Sequence, residues 1–516
     1  LNLRIPKIGI SISSASADAV PQQYVQLLRH GSHPSHTCSS GIWCLPPMPS
    51  WQAAMRQTTT DLLKVRQLLR CDYSANVSLW PFGPEQLSTT SKTPEPCIWY
   101  LSSRSRMPLV QAASKVVFGG TSAECLGTAT QLVCKIFLNS GSGVEEVVRR
   151  YYAEVHPWFP IIQEDVGNFL SLTVPTKLGH YGHLLLSMYL ASHPLCKHAN
   201  HFADNPLYLT AKQMFLVIQA SSTGSMPLLQ SGLLIAVYEF GHGLTGKAHH
   251  TVSSCLTVYR CLVGTQYGRE PSSDKGMSEI WACWQSIMHL DRSSILPPSA
   301  SHHKVKPVFS DMEVETSNFS MLYHVSILVG DIFEHIAQVI AGETPSKLYQ
   351  DLVKEISLTV CNMIEEAGST STKFCESIAL ALSSLLLLQL FRATRQLKSH
   401  STREDDIALQ TTKRMVLDMN RTANYILQTN GASTMSLVGI CSVCSAGVLL
   451  VLASQRGQQT SLTDSDLAII RFNLKALNRR WGIGAMYLRC LGEDLGLDGL
   501  VLNSENDNSI AQIIKI

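Results

Sequence analysis

The chain has 516 residues, of which 45% are hydrophobic and 16% are charged, so it can bury a large core. Its 41 Lys and Arg residues balance 39 Asp and Glu residues, which excludes an overall basic surface for a nucleic-acid backbone or an anionic membrane. The 15 cysteines are odd in number and many lie in apolar segments. This usage is typical of reduced core thiols and favours a nuclear or cytosolic protein.

Residues 1–120 are predicted to form a linker or irregular segment. They are rich in Ser, Thr and Pro, with turn-forming runs at 46–49 and 93–96, and one helix is predicted near residues 51–70. The sequence begins at Leu1 and not at Met, which indicates a fragment, a processed product or a faulty gene assignment.

Residues 121–516 are predicted to form one all-α helical array with little sheet. Apolar residues recur there at steps of three and four, as in helices with one buried face. The segment 144–155 carries Val147, Val148 and Tyr151 on one side and charges on the other, and it should end before Pro157. Similar helices are predicted at 184–190, 208–220, 228–240, 248–263, 279–291, 319–340, 348–366, 375–391 and 407–429.

The last helix is predicted to continue without a break from residue 467 to residue 491. Thr463 is its expected N-cap, with acidic residues in the first turn. Arg471, Lys475 and Arg479 form a basic stripe off the apolar face, which we interpret as a solvated face in preference to a partner or phosphate surface. The apolar face consists of Leu467, Ile470, Leu474, Leu477, Trp481, Gly484, Leu488 and Leu491.

Segment 241–248 has the two glycines and the lysine of a phosphate-binding loop. Such a loop also needs Ser or Thr after Lys247 to hold magnesium, and it lies between a strand and a helix. Here Ala248 occupies that position, and the preceding apolar run has helical spacing. Nucleotide hydrolysis is therefore disfavoured.

Two groups of residues have the ligand types of a metal site. His30, His33 and His36 lie close to Cys38, but in a loop without a second ligand cluster. Cys441 and Cys444 have pair spacing inside an apolar run and are predicted to lie in a buried helix. The sequence thus assigns no catalytic, cofactor-binding or metal-binding residue, and we expect no cofactor in this chain.

Two apolar segments raise the question of a membrane. Residues 437–452 are diluted by Ser, Cys and Gly, and residues 378–390 are fewer than the roughly 20 needed to span a bilayer. We interpret both as core helices and expect no membrane contact.

Residues 151–162 read Tyr-Tyr-Ala-Glu-Val-His-Pro-Trp-Phe-Pro-Ile-Ile. This segment resembles the opening signature of the fungal-specific transcription factor domain, the middle homology region of fungal binuclear zinc-cluster regulators. The resemblance covers roughly residues 121–495 and is closest to regulators of secondary-metabolite gene clusters. The later matching segments, in order, are 207–212, 229–243, 248–262, 279–292, 319–340 and 479–488.

The segment 279–292 departs from the family pattern. It ends in Leu-Asp-Arg as family members do, but Ile280 and Trp281 stand where basic residues are expected, and Gln285 stands where a second tryptophan is expected. We interpret Asp291 and Arg292 as structural charges at a helix end and not as catalytic groups.

The resemblance implies a nuclear regulator of RNA polymerase II genes and not an enzyme. Family members bind DNA through an N-terminal cluster of six cysteines with two zinc ions, whereas Cys38, Cys44, Cys71 and Cys97 have other spacings. Zinc and specific DNA binding are thus expected only in a full-length relative with that module, and the DNA-binding residues are unknown. The implied partners are DNA through the missing module, a second copy in a homodimer, and a small-molecule effector or a coregulator. The alternative is a helical membrane-associated or small-molecule enzyme of unknown reaction.

Overall fold

The structure is a computed structural model that describes part of the chain. The predicted linker 1–120, the helix near 51–70 and the cysteine and histidine residues in them lie outside the described residues. Backbone contacts divide the chain into Leu1–Glu85 and Gln86–Ile516, and every described residue belongs to the second unit. The predicted boundary near residue 120 stays a prediction. The described residues are 133, 136–137, 143–163, 166–172, 181–193, 205–221, 224–266, 274–292, 317–367, 374–396, 403–430, 435–455 and 462–492.

Helices and their connecting turns make up the described residues, which contain no strand, and this confirms the predicted all-α fold. Most of the predicted segments lie within these helices, which extend them by a few residues; Leu348 and Val155 fall just outside theirs. The helices are α1 Val144–Glu154, α2 Val166–Leu172, α3 Gly182–Ser192, α4 Pro206–Ser221, α5 Met226–Gly241, α6 Thr245–Gln266, α7 Asp274–Arg292, α8 Asn318–Ala341, α9 Tyr349–Ala367, α10 Cys375–Gln396, α11 Arg403–Asn430, α12 Leu437–Gln455, α13 Asp464–Arg480 and α14 Ile483–Cys490.

Helix α1 illustrates how local sequence defines an element. Glu145 and Glu146 lie in its first turn, where negative charge suits the helix dipole. They pair with Arg149 and Arg150 one turn later, at N–O distances of 2.7 and 2.9 Å. The helix ends three residues before Pro157, as predicted.

The core is organised around two central helices. Helix α5 packs against α3, α4, α6 and α7, and every one of its residues from Leu228 to Gly241 is buried. Helix α10 packs against α8, α9, α11 and α12, and α13 lies on α11 and α12. The contact between α7 and α8 connects the two groups. Each central helix is apolar over most of its circumference because neighbours cover it on several sides.

Three described helices are long and apolar enough to cross a membrane: Asn318–Ala341, Cys375–Arg395 and Leu437–Gln455. The prediction that the apolar run 378–390 is too short is wrong, because its helix continues past the charged residues that flank the run. Within the protein, 50%, 72% and 78% of the apolar windows are buried, in the same order. Much of their apolar surface therefore packs against other parts of the chain.

The predicted unbroken helix at the carboxyl end is also wrong. The chain leaves α13 at Trp481, whose φ and ψ of −128° and 119° are extended, and α14 begins at Ile483. Helix α14 turns back onto α13, since a Cβ at Gly484 would overlap the backbone of Asn478. The three-and-four spacing continues across the break, so periodicity alone does not reveal it.

The beginning of α13 is as predicted. The Thr463 hydroxyl accepts a hydrogen bond from the Asp466 backbone N–H at 3.2 Å, and the Thr463 backbone N–H donates to the Asp466 carboxylate, which completes a capping box. Arg471, Lys475 and Arg479 are exposed on this helix, as expected for a solvated face.

Candidate functional site

The carboxyl half of α5 holds a buried carboxylate. Glu239 is fully buried and accepts hydrogen bonds from Tyr208 Oη at 2.7 Å and from Lys212 Nζ at 2.9 Å, both on α4. Thr251 of α6 donates to the other carboxylate oxygen of Glu239 and accepts from Lys212. We call these four residues the Glu239 cluster. A buried charge needs this kind of pairing, so the cluster stabilises one arrangement of the three helices.

Aromatic rings extend the Glu239 cluster. Tyr208 stacks on Tyr238 with ring centroids 5.2 Å apart, and the Tyr238 hydroxyl accepts a hydrogen bond from the Asn205 amide at 3.0 Å. Burial raises the pKa of both tyrosines, and the Glu239 carboxylate raises them further. Both phenols therefore stay protonated near neutral pH and act here as hydrogen-bonding groups, not as bases.

The turn after α5 is the segment with phosphate-loop spacing. Its backbone N–H groups bond to the end of α5: His242 N to Tyr238 O, Gly243 N to Phe240 O and Leu244 N to Glu239 O, at 3.1, 3.0 and 2.8 Å. Gly243 has a φ of +73°, which ends the helix in the left-handed region. These amides are occupied by helix capping, so they are not available to bind a phosphate in this conformation.

Lys247, the lysine of that pattern, contacts an aromatic ring of α4. Its ammonium lies 5.6 Å from the centroid of the Tyr208 ring, where a cation–π contact is favourable. Helices flank the segment on both sides. This agrees with the helices predicted at 228–240 and 248–263.

Trp481 connects α5 with the carboxyl-terminal helices. The side chain is 3% exposed, and a Cβ at Gly241 would overlap its indole ring. The neighbouring Gly482 N–H donates to His242 Nδ1 at 3.0 Å. We call Gly241, His242, Trp481 and Gly482 the Trp481 junction. It requires glycine at 241, because any other side chain would displace the indole.

His242 is neutral in this junction. Its Nδ1 accepts a hydrogen bond from a backbone N–H and therefore carries no proton. Burial lowers the pKa of His242 to about 3, and the positive charge of Arg480 contributes to this shift. Protonation would replace the acceptor with a donor and separate the two sides of the junction.

A salt bridge lies next to the Trp481 junction. Arg480 Nη1 contacts Glu154 Oε2 at 2.7 Å, and the side chains are 11% and 26% exposed. Glu154 is the last residue of α1 and Arg480 is the last residue of α13. The contact therefore joins the ends of two helices that lie far apart in the chain.

The segment that opens the family resemblance is held by helices α5 and α7. Gln230 of α5 donates to the Ile161 carbonyl at 2.9 Å, and Glu279 of α7 accepts from the Gln163 N–H at 3.1 Å. Phe159 and Ile161 are fully buried. The segment thus fills a core position between α5 and α7.

Polar pairs connect α7 with α8. Gln285, which occupies the place of an expected tryptophan, donates to the Ser320 hydroxyl at 3.3 Å. His289 Nδ1 lies 2.6 Å from the hydroxyl oxygen of Ser326, and burial lowers the pKa of His289 to about 4. Residue 285 therefore contributes a buried hydrogen bond between the two helices.

The end of α7 also contacts α8 through Arg292. A Cβ at Gly330 would overlap the Arg292 side chain, whose guanidinium lies 3.9 Å from the Asp331 carboxylate. Lys347 pairs with the same carboxylate at 2.8 Å. These contacts agree with a structural role for Arg292.

Ile280 is buried, and Trp281 lies edge-on to Tyr323 with centroids 5.9 Å apart.

The remaining ligand-type residues are enclosed or dispersed. Cys441 and Cys444 lie buried in α12 as predicted, and burial raises the pKa of both thiols. The described residues contain no group of three or more His, Cys, Asp and Glu side chains arranged to hold a metal ion.

A small apolar hollow lies between α5, α6 and α7. It is lined by Ala236, Phe240, Ala248, His249, Val252 and Leu290, and its internal volume is about 10 Å³. Sites for small organic molecules have volumes of roughly 300 Å³ or more. This hollow is therefore too small for an effector in this conformation.

Sequence reasoning missed the Glu239 cluster and the Trp481 junction as units. Tyr208 and Lys212 are four residues apart and so share one face of α4, which was a usable signal. No sequence spacing relates Thr251 to Glu239 or His242 to Gly482, since those pairs form only when the helices pack. Both units are internally bonded, as expected of groups that specify packing.

The fold and these sites describe an all-helical protein whose buried polar groups bond helices to one another. No family model matches the chain, and no solved structure matches it. The chain is similar to transcription factor BOA15 of the fungus Botryotinia fuckeliana (strain B05.10), with 35% identity over 114 residues. The matched region is 22% of this chain and 63% of that protein. The chain therefore spans somewhat less than two thirds of the length of this relative.

Proposed function

We propose that this chain is the regulatory and dimerising region of a fungal transcription regulator of RNA polymerase II genes, in a secondary-metabolite pathway. The observation that carries the proposal is the 35% identity over 114 residues to a protein named as a fungal transcription factor. The family resemblance supports it, because segments 151–162, 229–243 and 279–292 lie together in the fold: Gln230 donates to the Ile161 carbonyl, and Glu279 accepts from the N–H of the adjoining Gln163.

In this proposal the protein acts in the nucleus as a regulator and not as a catalyst. Sequence-specific DNA binding requires an N-terminal zinc cluster of the family type. This chain makes transcription depend on the binding of an effector or a coregulator. An effector or coregulator acts by binding one arrangement of the helices more tightly than another. The Trp481 junction supports such a role, since it connects α5 with the last helices through a small set of contacts.

A reporter assay tests the proposal. The chain is fused behind a heterologous zinc-cluster DNA-binding module, and a promoter with the module's sites drives the reporter in a fungal host. We expect the fusion to change expression under inducing conditions, while the module alone does not. An unchanged reporter under all conditions, together with metabolite turnover by the purified chain that Asp291→Ala abolishes without unfolding it, would contradict the proposal.

A membrane-associated enzyme is the second candidate, favoured by the three helices long and apolar enough to span a bilayer. Membrane fractionation with an alkaline carbonate wash distinguishes the two. We expect the chain to be released into the supernatant by the wash. Retention in the membrane pellet would favour the second candidate.

A further inference from the structure

Helix α9 lies at the side of the array and leaves one face exposed. It packs against α8 and α10. The face opposite these contacts carries Lys354, Leu358, Cys361 and Glu365, all of them exposed. We call these four residues the α9 stripe. The buried face of the helix consists of Leu352, Ile356, Val360, Met363 and Ala367.

The α9 stripe has a symmetric pattern. Its members are spaced by four, three and four residues, so they follow one line along the helix. The line has a positive charge at one end, Lys354, and a negative charge at the other, Glu365. The two side chains between them are apolar. Leu358 is 49% exposed, and Ile364, beside the stripe, is 50% exposed. A partner helix on this face would remove these apolar side chains from water.

The charges at the two ends of the stripe form no ion pair within the part of the chain that the structure describes. Neither Lys354 nor Glu365 has an ion-pair partner among the residues that the structure describes. Glu355, which lies off the stripe, pairs with Lys347 at 2.9 Å. The two ends of the stripe therefore remain available to a partner of matching charge.

The pattern is complementary to itself in one orientation. If two α9 helices pair antiparallel about a two-fold axis between residues 358 and 361, Lys354 of each copy faces Glu365 of the other. Leu358 of each copy then faces Cys361 of the other. Parallel pairing would place like charges together at both ends, which is unfavourable. A two-fold axis is the usual symmetry of homodimers.

We propose that the α9 stripe is the homodimer interface of this protein, formed by antiparallel pairing of two copies. This rests on the dimerising role within the proposed function and names the surface for it. One helix on each side buries less area than the roughly 1,200 Å² of a stable interface, so the dimer is weak and depends on concentration. Dimer formation then responds to the local concentration that two neighbouring DNA half-sites impose.

Sedimentation velocity of the full chain, at concentrations from about 1 to about 100 μM, tests the interface. We expect a monomer–dimer equilibrium that Leu358→Asp shifts to monomer. Leu216→Asp is the matched control, because Leu216 is 48% exposed on α4, away from the stripe. That variant should associate like the wild type.

Charge reversal gives the decisive test. Lys354→Glu alone and Glu365→Lys alone each place like charges together twice, and each should weaken association about tenfold. The double variant restores both pairs in reversed order and should recover wild-type association. If the single variants had lost association because they misfold, combining the two substitutions would not restore it.

The inference is overturned if the wild type is monomeric throughout, if the dimer is insensitive to Leu358→Asp, or if the double variant fails to recover association. These outcomes are distinct from failure of the proposed function. A monomeric chain that still drives the reporter contradicts the interface alone, whereas a dimer that binds through the stripe but leaves the reporter unchanged contradicts the regulator.

Discussion

Helices α5 and α9 differ in how they use their polar residues. Helix α5 is covered by other helices, and its polar side chains find partners inside the protein: Gln230 with Ile161, Ser231 with Ser187 at 2.6 Å, and Glu239 within its cluster. Helix α9 buries one face only, and its stripe keeps Lys354 and Glu365 at the surface. In a buried helix, polar groups specify internal packing. At the surface, they are available to specify a partner.

The largest expected difference between the two helices is the effect of removing a carboxylate. Glu239→Ala leaves Lys212 next to the core without its counter-charge and takes an acceptor from Tyr208 and Thr251. Loss of one partner of a buried pair costs about 3–5 kcal/mol. Lys212 is 19% exposed, so we expect a value near the lower end, measured by urea unfolding.

The matched control is Glu355→Ala on α9, where Glu355 and Lys347 are 45% and 40% exposed. An exposed pair contributes about 0–1 kcal/mol, so this variant should unfold near the wild-type midpoint. Equal losses for the two variants would contradict the difference between the helices.

Variants of the Trp481 junction test whether the carboxyl end of the buried helix α5 also stabilises the fold. Trp481→Ala removes a buried indole and should cost about 3–5 kcal/mol. Gly241→Ala should cost about 1–3 kcal/mol, because its methyl group displaces that indole. A double-mutant cycle measured by urea unfolding should give a coupling between the two sites, since Gly241→Ala is tolerated better once the indole is absent. Additive losses would mean that the two residues do not touch.

The effect expected from pH at the same junction is smaller for each pH unit. The pKa of His242 is about 3 in the folded protein against 6.5 for an unperturbed histidine, so between these values the unfolded chain binds the extra proton. This contribution to stability is complete above pH 6.5 and is lost as the pH falls toward 3. It adds at most about 1.4 kcal/mol per pH unit to the slope of unfolding free energy.

Unfolding measured at several pH values checks this contribution. His242→Gln should flatten the slope in that window, and part should remain because burial also lowers the pKa of His289. His250→Gln is the control, since that side chain is exposed on α6. If the unfolding free energy of His242→Gln depends on pH as steeply as that of the wild type, the protonation of His242 is not coupled to unfolding.

Particular residues explain why the helices were predictable and the sites were not. The step of three and four residues in α1 and the Thr463 cap of α13 are local signals, because partners within one turn produce them. The break at Trp481 also has a local signal, which the three-and-four spacing hides: Arg479 and Arg480 lie in the last turn of α13, and Gly482 follows. The contact that the indole makes has no local signal, since it packs against Gly241, which lies 240 residues earlier in the chain.

The sequence by itself determined the all-α class, the positions of most helices and the capping box, since these depend on neighbours along the chain. It also located the turn at 241–248 and the buried cysteines of α12. Only the tertiary structure decided which polar residues meet, because the Glu239 cluster joins three helices and the Trp481 junction joins two distant segments. It also decided which face of α9 stays exposed, since burial depends on where α8 and α10 lie and periodicity reports only that one face is apolar.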